Sequence, residues 1–314
     1  MILSPQQESA LQTLLPVARI ATSGIRVGLP VTPRTHTLMI GPSGSGKSFL
    51  GRKLGEVLGL PVLLINVCNW MVIGARSDQW TSSMIADWLD RLPGGGILVL
   101  DELDKLGAGE GSYGGSDWNR NTILEIFDWL DGVVPSSAKL PLESIEAEEL
   151  FTSDAGRNQR EKLGEIIRER VMILGAGAWQ SAWRSNSRQL GFNAAKESLL
   201  PQPPSREQIL QSIYPELRQR FREDIVLLPA MFRDDYAKVS RDIAREIPPE
   251  LLPAWKKELG RTLRLAADGS LGMRALEELL LKALVLSGAG NAPEEEPVPQ
   301  TLKPSRLEVV QPLW

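Results

Sequence analysis

The chain has 314 residues, of which 42% are hydrophobic and 24% charged, and its formal net charge is −4. This weakly acidic balance excludes a chain-wide electrostatic attraction to nucleic acid or to an anionic membrane. The single cysteine, Cys68, excludes an intrachain disulfide and favours a reducing compartment, so we expect a cytoplasmic protein with an inert, buried thiol. No apolar run approaches the roughly 20 residues of a membrane helix, so no membrane partner is expected.

The first two thirds of the chain alternate between strand-like and helix-like segments. Helical spacing of apolar residues comes first, at 6–22, although it contains Pro16. Strands are then predicted at 37–40, 62–67, 97–100, 171–174 and 225–228; helices at 48–58, 83–92, 123–130 and 208–221; and loops or irregular chain at 107–115, 135–165 and 175–187. This alternation predicts an α/β fold built on a parallel sheet.

Only helices are predicted after Pro229, at 231–245, 249–267 and 272–287. From residue 288 the chain is rich in Gly, Pro and Glu and lacks the apolar content to pack by itself. We therefore expect an N-terminal helical or linker segment (1–34), a large α/β domain (35–228), an α-helical lid (229–287) and a flexible tail (288–314).

Residues 41–48 read GPSGSGKS and match the phosphate-binding P-loop between a predicted strand and a predicted helix. Glycines allow backbone N–H groups to surround phosphate oxygens, and the helix start adds the positive end of its dipole. Lys47 is expected to reach the β- and γ-phosphates and Ser48 to ligate Mg²⁺. The sequence thus predicts ATP and Mg²⁺ as ligands, with nucleotide contacts at Gly41, Pro42, Ser43, Gly44, Ser45, Gly46, Lys47, Ser48 and Phe49.

Two adjacent acids, Asp101 and Glu102, follow the apolar strand predicted at 97–100. Asp101 is expected to hold Mg²⁺, and Glu102 to orient and deprotonate the attacking water. The preceding strand and the upstream P-loop favour this interpretation over an ordinary solvated turn. The pair therefore extends the prediction from ATP binding to ATP hydrolysis.

The segment DELDKL at 101–106 resembles the AAA+ ATPases, and in particular their Clp/HslU (ClpX-like) clade. Similar segments follow in the order seen in that clade: NTILEIFDWLDG at 121–132, VMILGAGAWQ at 171–180, PELRQRF at 215–221 and GMRAL at 272–276. The resemblance covers residues 35–287. It implies a P-loop NTPase of three layers around a parallel sheet, followed by a small all-α lid domain.

The resemblance also implies roles for residues far from the P-loop. Arg220 would reach the γ-phosphate bound by a neighbouring subunit, which requires a homo-oligomeric ring, usually a hexamer in this family. Arg274 would act from the lid within the same subunit. For both arginines a solvated helix position is the alternative. Gly177 stands where many members carry Asn or Thr, and Gln180 is the candidate for a polar nucleotide contact there.

The chain departs from the clade where unfoldases grip their substrate. Residues 74–80 correspond to a substrate-gripping pore loop but lack its tyrosine. Trp70 and Trp80 could replace it, although a core position is more usual for tryptophan.

Two further segments leave alternatives open. The loop predicted at 107–115 could be a second pore loop, could stack on single-stranded nucleic acid through Tyr113, Trp118 and Arg120, or could be ordinary surface. The segment Leu190-Gly191-Phe192 resembles a loop that docks on a partner peptidase.

These features together predict an ATP-hydrolysing ring ATPase that remodels or unfolds a macromolecule, with protein favoured over nucleic acid. One alternative is a nucleic-acid-associated regulator of the transposition or defence type. Another is an ATP-dependent assembly switch for a partner enzyme.

Overall fold

Five parallel strands form one sheet in the order β2-β3-β4-β1-β5. The structure is a computed structural model that describes residues 2–25, 30–31, 33–73, 81–110, 117–140, 154–185, 203–213, 215–265 and 272–287. The strands are β1 (Thr37–Ile40), β2 (Val62–Asn66), β3 (Gly96–Asp101), β4 (Val171–Gly177) and β5 (Val226–Leu227). The parallel α/β sheet predicted from the sequence is confirmed.

Helices cover both faces of this sheet. One face is covered by α1 (Pro5–Thr22), which continues through Pro16, and by α2 (Lys47–Leu58). On the other face lie α3 (Val67–Ile73), α4 (Thr81–Asp90), a 3-10 helix (Leu103–Glu110), α5 (Asp117–Leu130), α6 (Asp154–Arg170), α7 (Gln180–Ser185), α8 (Arg206–Ser212) and α9 (Pro215–Arg218).

Strand side chains alternate between two apolar clusters. In β3, Leu98 and Leu100 join the cluster beneath α3–α6, whereas Ile97 and Val99 join the cluster beneath α1 and α2. A parallel sheet covered on both faces needs such continuous apolar strands. The predicted three-layer arrangement is therefore observed.

A third apolar cluster lies in the helices that follow the sheet. These helices are α10 (Arg233–Glu246), a 3-10 turn (Pro249–Leu251), α11 (Leu252–Leu265) and α12 (Arg274–Leu286). They pack around Tyr236, Trp255 and Leu279, all of which are fully buried. Within the described part of the chain, no helix has the length and apolar character needed to cross a membrane.

Two segments predicted to be irregular are helical. Residues 154–165 belong to α6, whose apolar Leu163 and Ile167 pack against the sheet while the rest of the helix is strongly charged. Residues 107–110 continue the 3-10 helix and are not loop.

Other boundaries also differ from the prediction. Residues 175–187 were predicted as loop, but β4 extends to Gly177, because its last residues still pair with β1, and α7 then occupies 180–185. The helix predicted over 208–221 is divided into α8 and α9. The short helix α3 replaces the end of the strand predicted to reach residue 67.

Candidate nucleotide site

A cleft of about 610 Å³ lies at the carboxyl ends of β1, β3 and β4 and extends to the start of α12. Crevices at this edge of parallel sheets are the usual ligand sites of α/β folds. Its walls consist of Ile2, Gln7, Ser43, Gly44, Gly46, Lys47, Ser48, Phe49, Asp101, Glu102, Asp104, Lys105, Gly177, Ala178, Gln180, Met273, Arg274 and Glu277. The cleft therefore brings together most of the residues predicted to contact nucleotide.

The P-loop leaves buried β1 and turns into α2 through two left-handed glycines. Gly44 has φ 81° and Gly46 has φ 87°, a region that residues with a side chain rarely adopt. Gly41 packs so closely that a Cβ there would lie 2.3 Å from the carbonyl oxygen of Leu228 on the neighbouring segment. Gly41, Pro42 and Ser45 do not line the cleft, so these three predicted contacts form the back of the loop.

Lys47 is the first residue of α2 and is only 9% exposed. Its Nζ donates hydrogen bonds to the carbonyl oxygens of Gly41 (2.7 Å) and Pro42 (3.0 Å). Burial lowers the pKa of Lys47, and the carboxylates of Asp101 and Asp104 oppose that shift. The ammonium group is thus held where hydrogen bonds to phosphate oxygens would compensate for its loss of hydration.

Ser48 and Asp101 join the P-loop to the end of β3. The Ser48 hydroxyl donates to Asp101 Oδ2, and Asp101 Oδ1 accepts the backbone N–H of Glu102 at 2.9 Å. The described residues contain no group of three or more His, Cys, Asp or Glu side chains that could hold a metal. Mg²⁺, however, commonly binds one or two protein oxygens and takes its other ligands from phosphates and water. The hydroxyl–carboxylate pair fits that requirement.

Glu102 turns the chain sharply out of β3. It has φ 58°, a left-handed conformation that is strained for a residue with a side chain and is found preferentially at functional sites. Cys68, in α3, forms a hydrogen bond with the Glu102 side chain, and burial together with this contact raises the Cys68 pKa to about 11. The thiol is partly buried, not fully buried as predicted, and it stays protonated beside the carboxylate.

The end of β4 explains why no side chain stands at the position where AAA+ ATPases often carry Asn or Thr. A Cβ on Gly177 would lie 2.4 Å from the Trp179 ring and 2.8 Å from Asp104 Oδ1. Trp179 has φ 45° and is 5% exposed, so its ring fills the space next to Gly177. Gln180, the alternative predicted contact, lines the cleft.

The start of α12 closes one side of the cleft. Arg274 and Met273 line it, and the Met273 N–H donates to the carbonyl oxygen of Gly44 at 3.2 Å. Gly272 has φ 56°, and a Cβ there would lie 2.2 Å from the same oxygen. Only glycine therefore permits this approach of the helical region to the P-loop.

Arg220 lies away from the cleft. Its Nε and Nη2 donate to Asp131 Oδ2 at 3.0 and 2.7 Å, and its Nη1 donates to the Glu216 carbonyl oxygen at 2.8 Å. The guanidinium carbon also stands 4.2 Å from the centre of the Phe127 ring. Arg220 is thus held at the end of α5 and does not line the cleft of this chain.

Several residues of the cleft were not predicted as site residues, among them Ile2, Gln7, Asp104, Lys105, Met273 and Glu277. Asp104 and Lys105 belong to the segment that resembles AAA+ ATPases, so that resemblance could have indicated them. Ser4 and Gln7 form a capping box that marks the start of α1, but nothing local indicates that Gln7 reaches the P-loop.

Several interpretations concern other parts of the chain. Trp70 is 2% exposed and lies in the core, as a tryptophan next to a helix usually does. Outside the described residues lie 74–80 with Trp80, Tyr113, the segment Leu190-Gly191-Phe192 and the tail 288–314; the side chains of Trp118 and Arg120 are also not described.

Comparison with known proteins agrees with this geometry. Residues 37–177, from β1 to the last residue of β4, match the model of the ATPase family associated with various cellular activities (AAA). The chain contains an AAA ATPase domain. The match includes the P-loop and the two acids, Asp101 and Glu102, at the end of β3.

Two relatives show weak similarity to the chain. It is 26% identical over 197 residues to the ATP-dependent Clp protease ATP-binding subunit ClpX of Azotobacter vinelandii, a match covering 58% of this chain and 41% of the relative. It is also 26% identical over 120 residues to the ATP-dependent zinc metalloprotease FtsH 3 of Conexibacter woesei, covering 36% of this chain and 16% of that protein. In both cases the match spans less than half of the relative's length.

Proposed function

We propose that this AAA ATPase domain hydrolyses ATP to ADP and phosphate. The observation that carries the proposal is the meeting of Lys47 and Ser48 with Asp101 and Glu102 in one cleft. In the proposed reaction Lys47 and Arg274 offset charge on the phosphates, and Glu102 accepts a proton from the attacking water. Ser48 and Asp101 would hold Mg²⁺, which would supply further positive charge next to the phosphates.

Met273 donates a hydrogen bond to Gly44, and Gly272 lies directly against the same residue. These contacts between the P-loop and the helices that follow the sheet support a lid role for those helices. We propose the division into a domain at 35–228 and a lid at 229–287 on this basis. Arg220 would complete the site of a neighbouring subunit in a ring, and its distance from its own cleft is compatible with action across an interface.

Substitution of Lys47 tests the central claim. Lys47→Ala removes the ammonium group, and water cannot replace it as a partner of the bound phosphates. We therefore expect this substitution to lower ATP affinity by about 100-fold or more. Arg52→Ala is the matched control, since Arg52 is an exposed cation on the same helix. Calorimetry that finds near-normal ATP binding by Lys47→Ala would contradict the proposal.

Glu102→Gln separates binding from chemistry. We expect this variant to retain ATP affinity and to lose turnover by roughly 10²- to 10⁴-fold, because an amide cannot accept the proton of the attacking water. Phosphate release under single-turnover conditions measures the effect. Normal turnover would assign the base to another group.

We further propose that ATP turnover remodels a macromolecule, with protein favoured because one relative is named as a protease subunit and the other as a protease. Turnover should then rise with an unfolded protein and not with single-stranded DNA, and Glu102→Gln with ATP should retain the polypeptide. Stimulation by DNA alone would favour a nucleic-acid-associated regulator. Stimulation by neither, with ATP-dependent assembly, would favour a switch for a partner enzyme.

A further inference from the structure

Gln7 is a fully buried polar side chain, 1% exposed, in the first turn of α1. Its Oε1 accepts the backbone N–H of Ser4 at 3.0 Å, and its Nε2 donates to the carbonyl oxygen of Ser45 in the P-loop at 3.1 Å. Burying an amide is costly unless its polar atoms are bonded, so these contacts hold the side chain in one orientation. One residue thus connects the N-terminal helix to the phosphate-binding loop.

The contact with Ser45 determines the orientation of a particular peptide bond. In a planar trans peptide the C=O of one residue and the N–H of the next point in opposite directions. Because Gln7 holds the Ser45 carbonyl from the side of α1, the N–H of Gly46 is directed to the opposite side of this peptide. Gly46 and Gln7 both line the cleft, and a Cβ on Gly46 would lie 2.2 Å from Gln7 Nε2, so Gln7 packs directly against this peptide.

The residue before Gln7 in α1 and the residue before Ser45 in the P-loop are both hydrogen-bonded to the helices that follow the sheet. Gln6 Nε2 donates to Asp235 Oδ2 at 2.5 Å, and the same oxygen accepts the N–H of Phe232 at the start of α10. The carbonyl of Gly44 accepts the N–H of Met273. Two successive P-loop carbonyls are therefore held from outside, one by α1 and one by the start of α12.

We propose that Gln7 is a positioning residue for phosphate binding: it acts through the Ser45–Gly46 peptide and orders the P-loop before a nucleoside di- or triphosphate binds. This inference rests on the proposed ATP-binding function. Without the Gln7 donor, the loop must become ordered during binding, and that cost lowers affinity. The loss concerns the phosphate contacts and leaves the binding of the nucleoside part unchanged.

The capping box allows the two roles of Gln7 to be separated. Gln7→Glu keeps the acceptor for the Ser4 N–H but removes the donor to Ser45. Gln7→Met removes both without adding charge. Ser4→Ala removes the hydroxyl that accepts the backbone N–H of Gln7. It keeps the hydrogen bond from Gln7 Nε2 to the Ser45 carbonyl oxygen. The three variants of the full chain would be titrated with ATP, with ADP and, by ligand-observed NMR, with adenosine, and their thermal unfolding would be recorded.

We expect both Gln7 variants to bind ATP and ADP roughly tenfold more weakly with unchanged adenosine binding, as the loss of one buried hydrogen bond implies. Ser4→Ala should lower Tm but leave all three affinities unchanged. Wild-type affinity for ATP in either folded Gln7 variant, or a parallel loss for adenosine, overturns the inference and leaves the proposed function intact. A wild-type chain that binds neither ATP nor ADP refutes both.

Discussion

At the scale of single residues, Glu102 is constrained through both its backbone and its side chain. Its left-handed φ turns the chain out of β3, and its carboxylate is hydrogen-bonded to the Cys68 thiol. The carboxylate that we propose as the general base is thus held by a neighbour that stays protonated. The sole cysteine of the chain is consequently a chemical reporter of the state of Glu102.

We predict that Cys68 reacts slowly with iodoacetamide at pH 8. With a pKa of about 11 its thiolate fraction there is roughly two hundredfold lower than that of an ordinary cysteine, whose pKa is about 8.5. The labelling rate should rise with pH until the pKa is passed, because only the thiolate reacts. Mass spectrometry of the labelled chain over a pH series measures this profile.

Glu102→Gln is the matched comparison for this prediction. Removal of the neighbouring negative charge should lower the pKa of Cys68 and move the labelling profile to lower pH. If the reagent merely had limited access to the thiol, the labelling rate would be lower at every pH and the pH profile would not move. A wild-type profile centred near pH 8.5 would show that neither burial nor the contact with Glu102 raises the pKa of Cys68.

At the scale of secondary-structure elements, Glu125 connects three helices on one face of the sheet. It lies in α5 and accepts hydrogen bonds from Trp70 Nε1 in α3 (3.1 Å), from Ser82 Oγ in α4 (2.7 Å) and from Ser137 Oγ after α5 (2.5 Å). Trp129 Nε1 adds a bond to the Ser82 hydroxyl at 3.2 Å. Each of the three helices thus contributes to one hydrogen-bonded group around the Glu125 side chain.

We predict that Glu125→Gln lowers the free energy of unfolding by about 1–3 kcal/mol, because a neutral amide oxygen is a weaker acceptor than a carboxylate for the hydrogen bonds from Trp70 and Ser82. Urea unfolding followed by tryptophan fluorescence measures the change. Glu161→Gln, an exposed position on α6, should change stability by less than about 0.5 kcal/mol. Equal effects of the two substitutions would show that the Glu125 contacts contribute little.

The elements that the sequence predicted well are those determined by local patterns. The P-loop lies between an apolar strand and a helix, and both were visible in the residues next to it. Helix α6 was not predicted because its sequence is mostly charged. Leu163 and Ile167 are its fully buried apolar side chains, and two positions are too few to show a helical spacing. The contact of Gln7 with Ser45 spans 38 residues, and the absence of a side chain at Gly177 depends on the ring of Trp179. Such long-range packing has no local signature.

At the scale of the whole molecule, the cleft and Arg220 are separate features of the chain. Asp131 and Phe127, both near the end of α5, hold the guanidinium in place. If subunits form a ring, Arg220 would already be ordered when a neighbour's phosphates approach it. Ordering in advance lowers the entropic cost of completing a shared site.

We predict that Arg220→Ala and Glu102→Gln are each inactive as ATPases and that mixtures of the two regain part of the activity. In a mixed assembly some interfaces combine an intact Glu102 with an intact Arg220, and only those sites turn over. Phosphate release as a function of mixing ratio tests this. Absence of recovery at every ratio, with assembly of the mixture verified by light scattering, would show that Arg220 does not act across an interface.

The hydrogen bond from Met273 to Gly44 also has a consequence for hydrogen–deuterium exchange. The Met273 amide can exchange only when the start of α12 separates from the P-loop, so its protection factor gives the free energy of that opening directly. Nucleotide that bridges the two elements would slow exchange at this amide, whereas nucleotide bound to the P-loop alone would leave it unchanged. One backbone position can thus report how firmly the helical region closes over the site.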